Sequence, residues 1–212
     1  MMISTDRLKA MFAAVATAIG ADKDRLCALD GVIGDADHGI AMDLGFAAAR
    51  DATAALGSDA DPTAIFNAAA KAFLNAVGAS CGPLYATAFM RAGAAVKGKA
   101  ALTADDLLDA FAAMAKGIQD RGKAEPGEKT MVDAWLPAAD AARQARAAGG
   151  SLPSALAAAA AAAEQGAEAT RNFAATKGRA ARLGDRSLGH VDPGAASAVT
   201  VIRAMADSLA DA

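Results

Sequence analysis

The sequence predicts an all-helical protein, and three observations lead there. Alanine, the residue with the highest helix propensity, fills 65 of its 212 positions. Aromatic residues make up only 4% of a chain that is 54% hydrophobic, and Val, Ile and Thr are sparse, so the side chains that build sheets are scarce. The larger apolar residues recur with the 3.6-residue period of a helix. No interval reads as a linker and no internal repeat is visible, so residues 1–212 are read as one domain.

The elements follow in order. Leu8, Phe12, Val15 and Ile19 fall on one face of a first helix, which with Asp6 in the leader favours an amphipathic helix over a signal peptide. Phe66, Ala69, Phe73 and Val77 mark a helix opening after Asp61, with Pro62 tolerated in its first turn. Thr103 is placed to cap a helix whose stripe is Leu107, Phe111, Met114 and Ile118. Two alanine-rich helices follow, over about 130–148 and 154–175. The last carries Ala195, Ala198, Ile202, Met205 and Leu209 on one side.

Composition also excludes function classes. A net charge of −3 with scattered charges gives no basic face for nucleic acid. The longest apolar run, Ala155–Ala163, is too short to cross a bilayer, so no membrane partner is expected. Two cysteines, Cys27 and Cys81, make no disulfide framework, which fits a reducing cytoplasm.

Glycine, proline and charge gather in four places: GVIGDADHG (31–39), GASCGP (78–83), RGKAEPGEKT (121–130) and GRAARLGDRSLGHVDPG (178–194). If helices alternate in direction, loops at every second junction share one end. Asp30, Asp35 and Asp37 offer hard oxygens suited to Mg²⁺, although Asp37 could equally cap the next helix and the others serve turns. An EF-hand is excluded, because Phe46 stands at position 12 counted from Asp35. Segments 93–100 and 122–130 approach a phosphate-loop pattern but lack the strand that must precede one. Lys177, Arg179, Arg182 and Arg186 make the longest loop basic, which suits phosphate oxygens or simply a helix end. His38 and His190 each lie in a Gly/Asp loop, and no Ser or Cys is placed by sequence beside either.

Four blocks carry a resemblance to a known family: LDGVIGDADHG (29–39), GASCGPLYAT (78–87), RGKAEPGEKTMVDAW (121–135) and KGRAARLGDRSLGHVDPGA (177–195). Together they resemble the nucleotide-binding L subunit of the dihydroxyacetone kinases, equivalently the C-terminal domain of the one-chain kinases. The resemblance implies a barrel of eight antiparallel helices with ADP or ATP held in the loops at one end. It implies that Asp30, Asp35 and Asp37 hold two Mg²⁺ ions and that Arg179 meets the phosphates. His38, Gly39, Ile40, Ala41, Ser80, Cys81, Gly122, Met131, Asp192, Pro193 and Gly194 would surround the nucleotide. It further implies a separate K subunit, on which a histidine holds the ketone covalently, and so a subunit that phosphorylates dihydroxyacetone or a related ketose only in that company. The family uses ATP as an exchangeable substrate, or a resident ADP recharged by a phosphotransferase-system subunit. Departures from the usual pattern are Ala41 for Asn, Cys81 for Ser, and Ala181 where aromatic or Ser residues are common. The alternatives are the nucleotide domain of a fatty-acid-type kinase, which shares the Asp cluster, and a non-catalytic helical scaffold.

Overall fold

The computed structural model describes residues 2–78 and 81–210. Eight α-helices follow one another there: α1 (Thr5–Ile33), α2 (His38–Ala54), α3 (Pro62–Ala76), α4 (Cys81–Ala95), α5 (Ala104–Gly122), α6 (Val132–Ala147), α7 (Leu152–Ala169) and α8 (Pro193–Leu209). A 3-10 turn (Thr170–Asn172) and a longer 3-10 segment (Ala180–Ser187) lie between α7 and α8. Among the described residues there is no strand. A lone bridge between Ile3 and Leu102 fastens the start of the chain to the α4–α5 connection. No helix among the described residues is long and apolar enough to cross a membrane.

Helix starts obey local chemistry. Ser4, Asp61, Ser151 and Asp192 each accept a first-turn N–H, which satisfies one of the donors a helix start leaves open. Thr103 and Asp106 cap α5 reciprocally. The predicted stripes are all buried: Leu8, Phe12, Val15 and Ile19 on α1, Leu107 to Ile118 on α5, Ala195 to Leu209 on α8.

Three boundaries differ from expectation. α1 runs through Gly31 to Ile33, so Asp30 sits in its last turn and the connecting loop shrinks to four residues, 34–37. A single helical glycine costs only about 1 kcal/mol, and burial of Leu26 and Ile33 outweighs it. Cys81, Gly82 and Pro83 open α4 instead of preceding it, since proline is tolerated in a first turn. The long segment before α8 is not open coil but 3-10 structure, broken at Gly184 (φ 54°).

Each helix packs on the one before it and the one after it, and α8 returns to α1. Eight of the nine aromatic side chains meet inside, from Phe12 and Phe66 through Phe46, Phe73, Tyr85 and Phe89 to Trp135 and Phe111. Most contacts are edge-to-face, each worth about 0.5–1.5 kcal/mol beyond burial. The scarce large side chains therefore fill the centre, and alanine brings the helices together around it. Beyond Trp135 on α6 and Leu152 and Leu156 on α7, the two helices meet largely through alanine (Ala138, Ala139, Ala142 and Ala155, Ala159, Ala163).

Short connections between packed neighbours make successive helices run in opposite directions. The ends of α1, α3, α5 and α7 and the starts of α2, α4, α6 and α8 therefore face the same way. All four glycine-rich segments of the sequence lie at that end.

Candidate functional site

A cleft of about 300 Å³ opens among these loops. Its walls include the first residues of four helices: His38 of α2, Cys81 of α4, Val132 of α6 and Pro193 of α8. Helix starts expose unpaired N–H groups and about half a positive charge each. Four converging starts make a wall suited to anions.

The carboxylates gather at the start of α2. One oxygen each of Asp30, Asp35 and Asp37 lies within 4.8 Å of the other two. Asp30 also shapes the loop: its Oδ2 accepts the N–H groups of Asp37 (3.0 Å) and His38 (3.3 Å). Gly34 leaves room for this, because a Cβ there would collide with the Asp30 carboxylate. Ala36, between the other two acids, takes a left-handed conformation (φ 64°). Asp37 stands at the cap position of α2, yet its side chain caps nothing. The capping role open to it in the sequence is therefore not taken, and its carboxylate stays exposed beside the others. Arg179 pairs with Asp35 and reaches within 4.0 Å of Asp37.

His38 is half-buried, and burial holds its imidazole below the usual range despite Asp30 nearby. Its Nε2 lies 2.9 Å from Ser197 Oγ, which donates to the Gly194 carbonyl at 2.9 Å. With the hydroxyl proton on the Gly194 carbonyl, Oγ accepts from Nε2–H and Nδ1 is the ring's acceptor. The sequence places no serine beside His38, and the fold supplies one. The partner lies 159 residues away, and no local pattern announces it.

Asp192 caps α8 by accepting from Ala195 N (2.8 Å), and its own N–H donates to Thr170 Oγ1 (2.9 Å). Burial raises its carboxyl to about 7, against the lowering effect of the Ala195 N–H and Lys129. Cys81 is buried and its thiol is pushed up to about 11, so it stays protonated and only a weak donor near neutral pH.

Of the residues singled out in the sequence, Asp30, Asp35, Asp37, His38, Cys81, Gly122, Met131, Arg179, Asp192, Pro193 and Gly194 all line this one cleft. Ser80 lies outside the described residues. Gly39, Ile40 and Ala41 occupy the first turn of α2 but do not line the cleft: Gly39 is buried against α1, and Ile40 points outward, 51% exposed. Sequence reasoning missed the apolar wall of Ile33, Leu84 and Ile118, and also Lys129 and Thr130. The 3.6-residue stripe that ends on Ile118 was the available signal. Lys129 had none, since lysine is rarely a buried residue.

The chain has relatives among known proteins. A family model described as the DAK2 domain matches residues 32–207. The chain is 41% identical over 185 residues to the PEP-dependent dihydroxyacetone kinase, ADP-binding subunit DhaL, of Escherichia coli, covering 87% of this chain and 88% of that one. It is 38% identical over 184 residues to the corresponding subunit of kinase 1 from Listeria innocua, covering 87% and 86%. The crystal structure of the C. freundii dihydroxyacetone kinase in complex with AMP-PNP and Mg²⁺ matches with a TM-score of 0.70 at 26% identity. That match covers 94% of this chain but spans only about a third (33%) of the kinase.

Proposed function

The chain belongs to the DAK2-domain family, and from that premise we propose that it is the nucleotide-binding phosphotransfer subunit of a dihydroxyacetone kinase. One observation carries the proposal: three converging carboxylates and Arg179 line a single cleft together with the starts of four helices. That is a site for a polyphosphate brought in with a divalent cation.

The eight helices form one antiparallel barrel, a single unit over residues 1–212, with the nucleotide at its open end. Asp30, Asp35 and Asp37 are hard oxygen donors of the kind Mg²⁺ takes, and they would hold two ions. When bound, these ions offset the charge of the phosphoryl group in transit. Arg179 lies beside the carboxylates and donates from a planar fork to phosphate oxygens. Backbone N–H groups at the starts of α4 and α8 cradle the phosphates, with His38, Cys81, Asp192, Pro193 and Gly194 lining the cleft and Gly39, Ile40 and Ala41 behind them in the first turn of α2. Met131, 6% exposed, and Gly122 form an apolar slot that suits an adenine ring.

The ketose, dihydroxyacetone or a close relative, is brought by a K-type partner subunit, a reading supported by relatives that are themselves named as subunits. The relatives covered nearly end to end are named ADP-binding subunits of PEP-dependent kinases. This supports the mode in which ADP stays resident and a phosphotransferase-system subunit recharges it in the cytoplasm, where Cys27 and Cys81 remain thiols.

The experiment is nucleotide retention. Protein purified with Mg²⁺ and dialysed exhaustively should keep about one ADP per chain and accept phosphate from a phosphohistidine donor protein. Rapid loss of ADP, with turnover on added ATP, overturns the resident-ADP mode. No binding at millimolar Mg-ADP overturns the nucleotide reading altogether.

A further inference from the structure

Lys129 and Asp133 are the buried charged side chains among the described residues, Lys129 in the α5–α6 connection and Asp133 in the first turn of α6. Asp133 accepts the N–H groups of Gly127 and Thr130 and so folds the connection upon itself. Lys129 reaches outward. It is 2% exposed and in a left-handed conformation (φ 61°), which costs a non-glycine residue about 1–2 kcal/mol. Its ammonium donates to the Thr170 carbonyl at 2.6 Å and to the His190 carbonyl. No carboxylate forms an ion pair with it among the described residues.

These two carbonyls bracket the long segment between α7 and α8. Thr170 is the residue whose Oγ1 receives the Asp192 N–H, and His190 stands two residues before Asp192. The ammonium therefore binds the strip carrying Met131 to the strip carrying Asp192–Gly194, and these meet in the wall of the cleft, where Gly194 packs against the Met131 side chain. Its stem forms part of that wall. A neutral donor would suffice to tie two carbonyls together. A buried ammonium costs several kcal/mol of lost hydration, and here it lies behind the start of α8, where it adds to the positive field across the cleft.

Resting on the nucleotide reading, we propose that Lys129 is a positioning residue for the nucleotide: it fixes the Met131 strip against the Asp192–Gly194 strip and places a fixed positive charge behind the phosphates. It does so through other residues and touches no reacting atom.

The test is Mg-ADP titrated calorimetrically into wild-type and K129M protein, each first stripped of metal and nucleotide with EDTA. K129M should weaken binding at least tenfold with the stoichiometry per chain unchanged. With a K-type partner, it should raise the nucleotide KM by a similar factor and leave kcat within about threefold. K129Q, which keeps one donor but no charge, should fall between. A merely structural lysine gives the opposite split: fewer binding-competent chains, lower kcat, and an unaltered Kd and KM, and that result overturns the proposal. If K129M does not fold, T170V decides, because it keeps the ammonium but removes the acceptor for Asp192 N–H. A threefold or greater rise in Kd supports the coupling of the two strips, and an unchanged Kd overturns it. Failure of the wild type to bind Mg-ADP refutes the nucleotide reading instead, so the two failures are distinct.

Discussion

Gly39→Ala is the sharpest probe of how the fold positions the carboxylates. A Cβ at this position would press on the Lys23 carbonyl and come within 2.8 Å of Cys27 Sγ and 3.0 Å of Cys27 N. Carbon contacts relax near 3.5–4.0 Å, so the first turn of α2 must retreat from α1 by roughly 1 Å. That turn holds Asp37 and His38, whose N–H groups reach Asp30 at 3.0 and 3.3 Å. A retreat of this size breaks both bonds and spreads the three carboxylates. Overpacking costs about 1–3 kcal/mol, and the better helix propensity of alanine returns up to about 1 kcal/mol. A net loss near 1–2 kcal/mol lowers Tm by about 2–8 °C in a chain of this length. The functional cost is larger, because a misplacement of about 1 Å at a reacting centre costs on the order of 100-fold. Thermal unfolding and Mg-ADP calorimetry measure the two effects. Adding Cys27→Ala should not restore binding, since the main obstacle is a backbone carbonyl that no side-chain change removes. Wild-type affinity in Gly39→Ala, within twofold, would refute the claim that the α1–α2 approach sets the site.

Two further outcomes are expected. Asp192, raised to about 7 in the folded protein, keeps a proton that the unfolded chain has already lost above roughly pH 4. Stability therefore falls as pH rises from about 4 through 7 and levels beyond. Asp192→Asn keeps the oxygen that caps α8 but has no proton to lose, so the difference in Tm between variant and wild type should move in the variant's favour from pH 5 to pH 8; parallel profiles would contradict this. Gly166→Ala should destabilise by about 1–3 kcal/mol despite its better propensity. Pro137 has no N–H to give the Asp133 carbonyl, Gly166 packs upon that oxygen, and a Cβ there would collide with it. A denaturant midpoint equal to or above that of the wild type would show that α7 can move away at little cost.

Much of this was legible in the sequence because helical period and burial are local. Phe12, Phe111 and Ile202 fall on their stripes and are all buried, since no other face of those helices carries comparable apolar area. The convergence of four glycine-rich segments follows from alternating helix direction alone. What was hidden depends on partners distant in the chain. Ser197 meets His38 across the junction of α8 with α2. Lys129 is buried because carbonyls of Thr170 and His190 await it, and no periodicity encodes that. Asp37 does not cap α2 because its backbone is already helical (φ −105°, ψ −9°) and not extended as a capping residue's is. Local propensity treats each acid alone, whereas in the fold Asp30 holds the N–H groups of Asp37 and His38 and the Asp37 carboxylate stays free.

The charges of the cleft finally dictate the form in which nucleotide enters. The helix starts contribute about half a positive charge each, but the carboxylate end holds Asp30, Asp35 and Asp37 with Arg179 as the one cation paired among them. A phosphate oxygen about 5 Å from one of these carboxylates is repelled by about 3 kcal/mol at an effective dielectric near 20. One such repulsion is worth about 100-fold in affinity; the helix starts and Arg179 balance the three acids in total charge, so it is the phosphate set nearest the carboxylates that still feels it. Bare ADP should therefore bind at least 100-fold more weakly than Mg-ADP, and Asp35→Asn with Asp37→Asn should narrow that gap by weakening the magnesium complex and relieving the repulsion of the bare nucleotide. Calorimetry in EDTA and in excess Mg²⁺ measures both. If ADP binds the wild type equally well in the two buffers, the acids are not facing the phosphates, and the cleft is read from the wrong side.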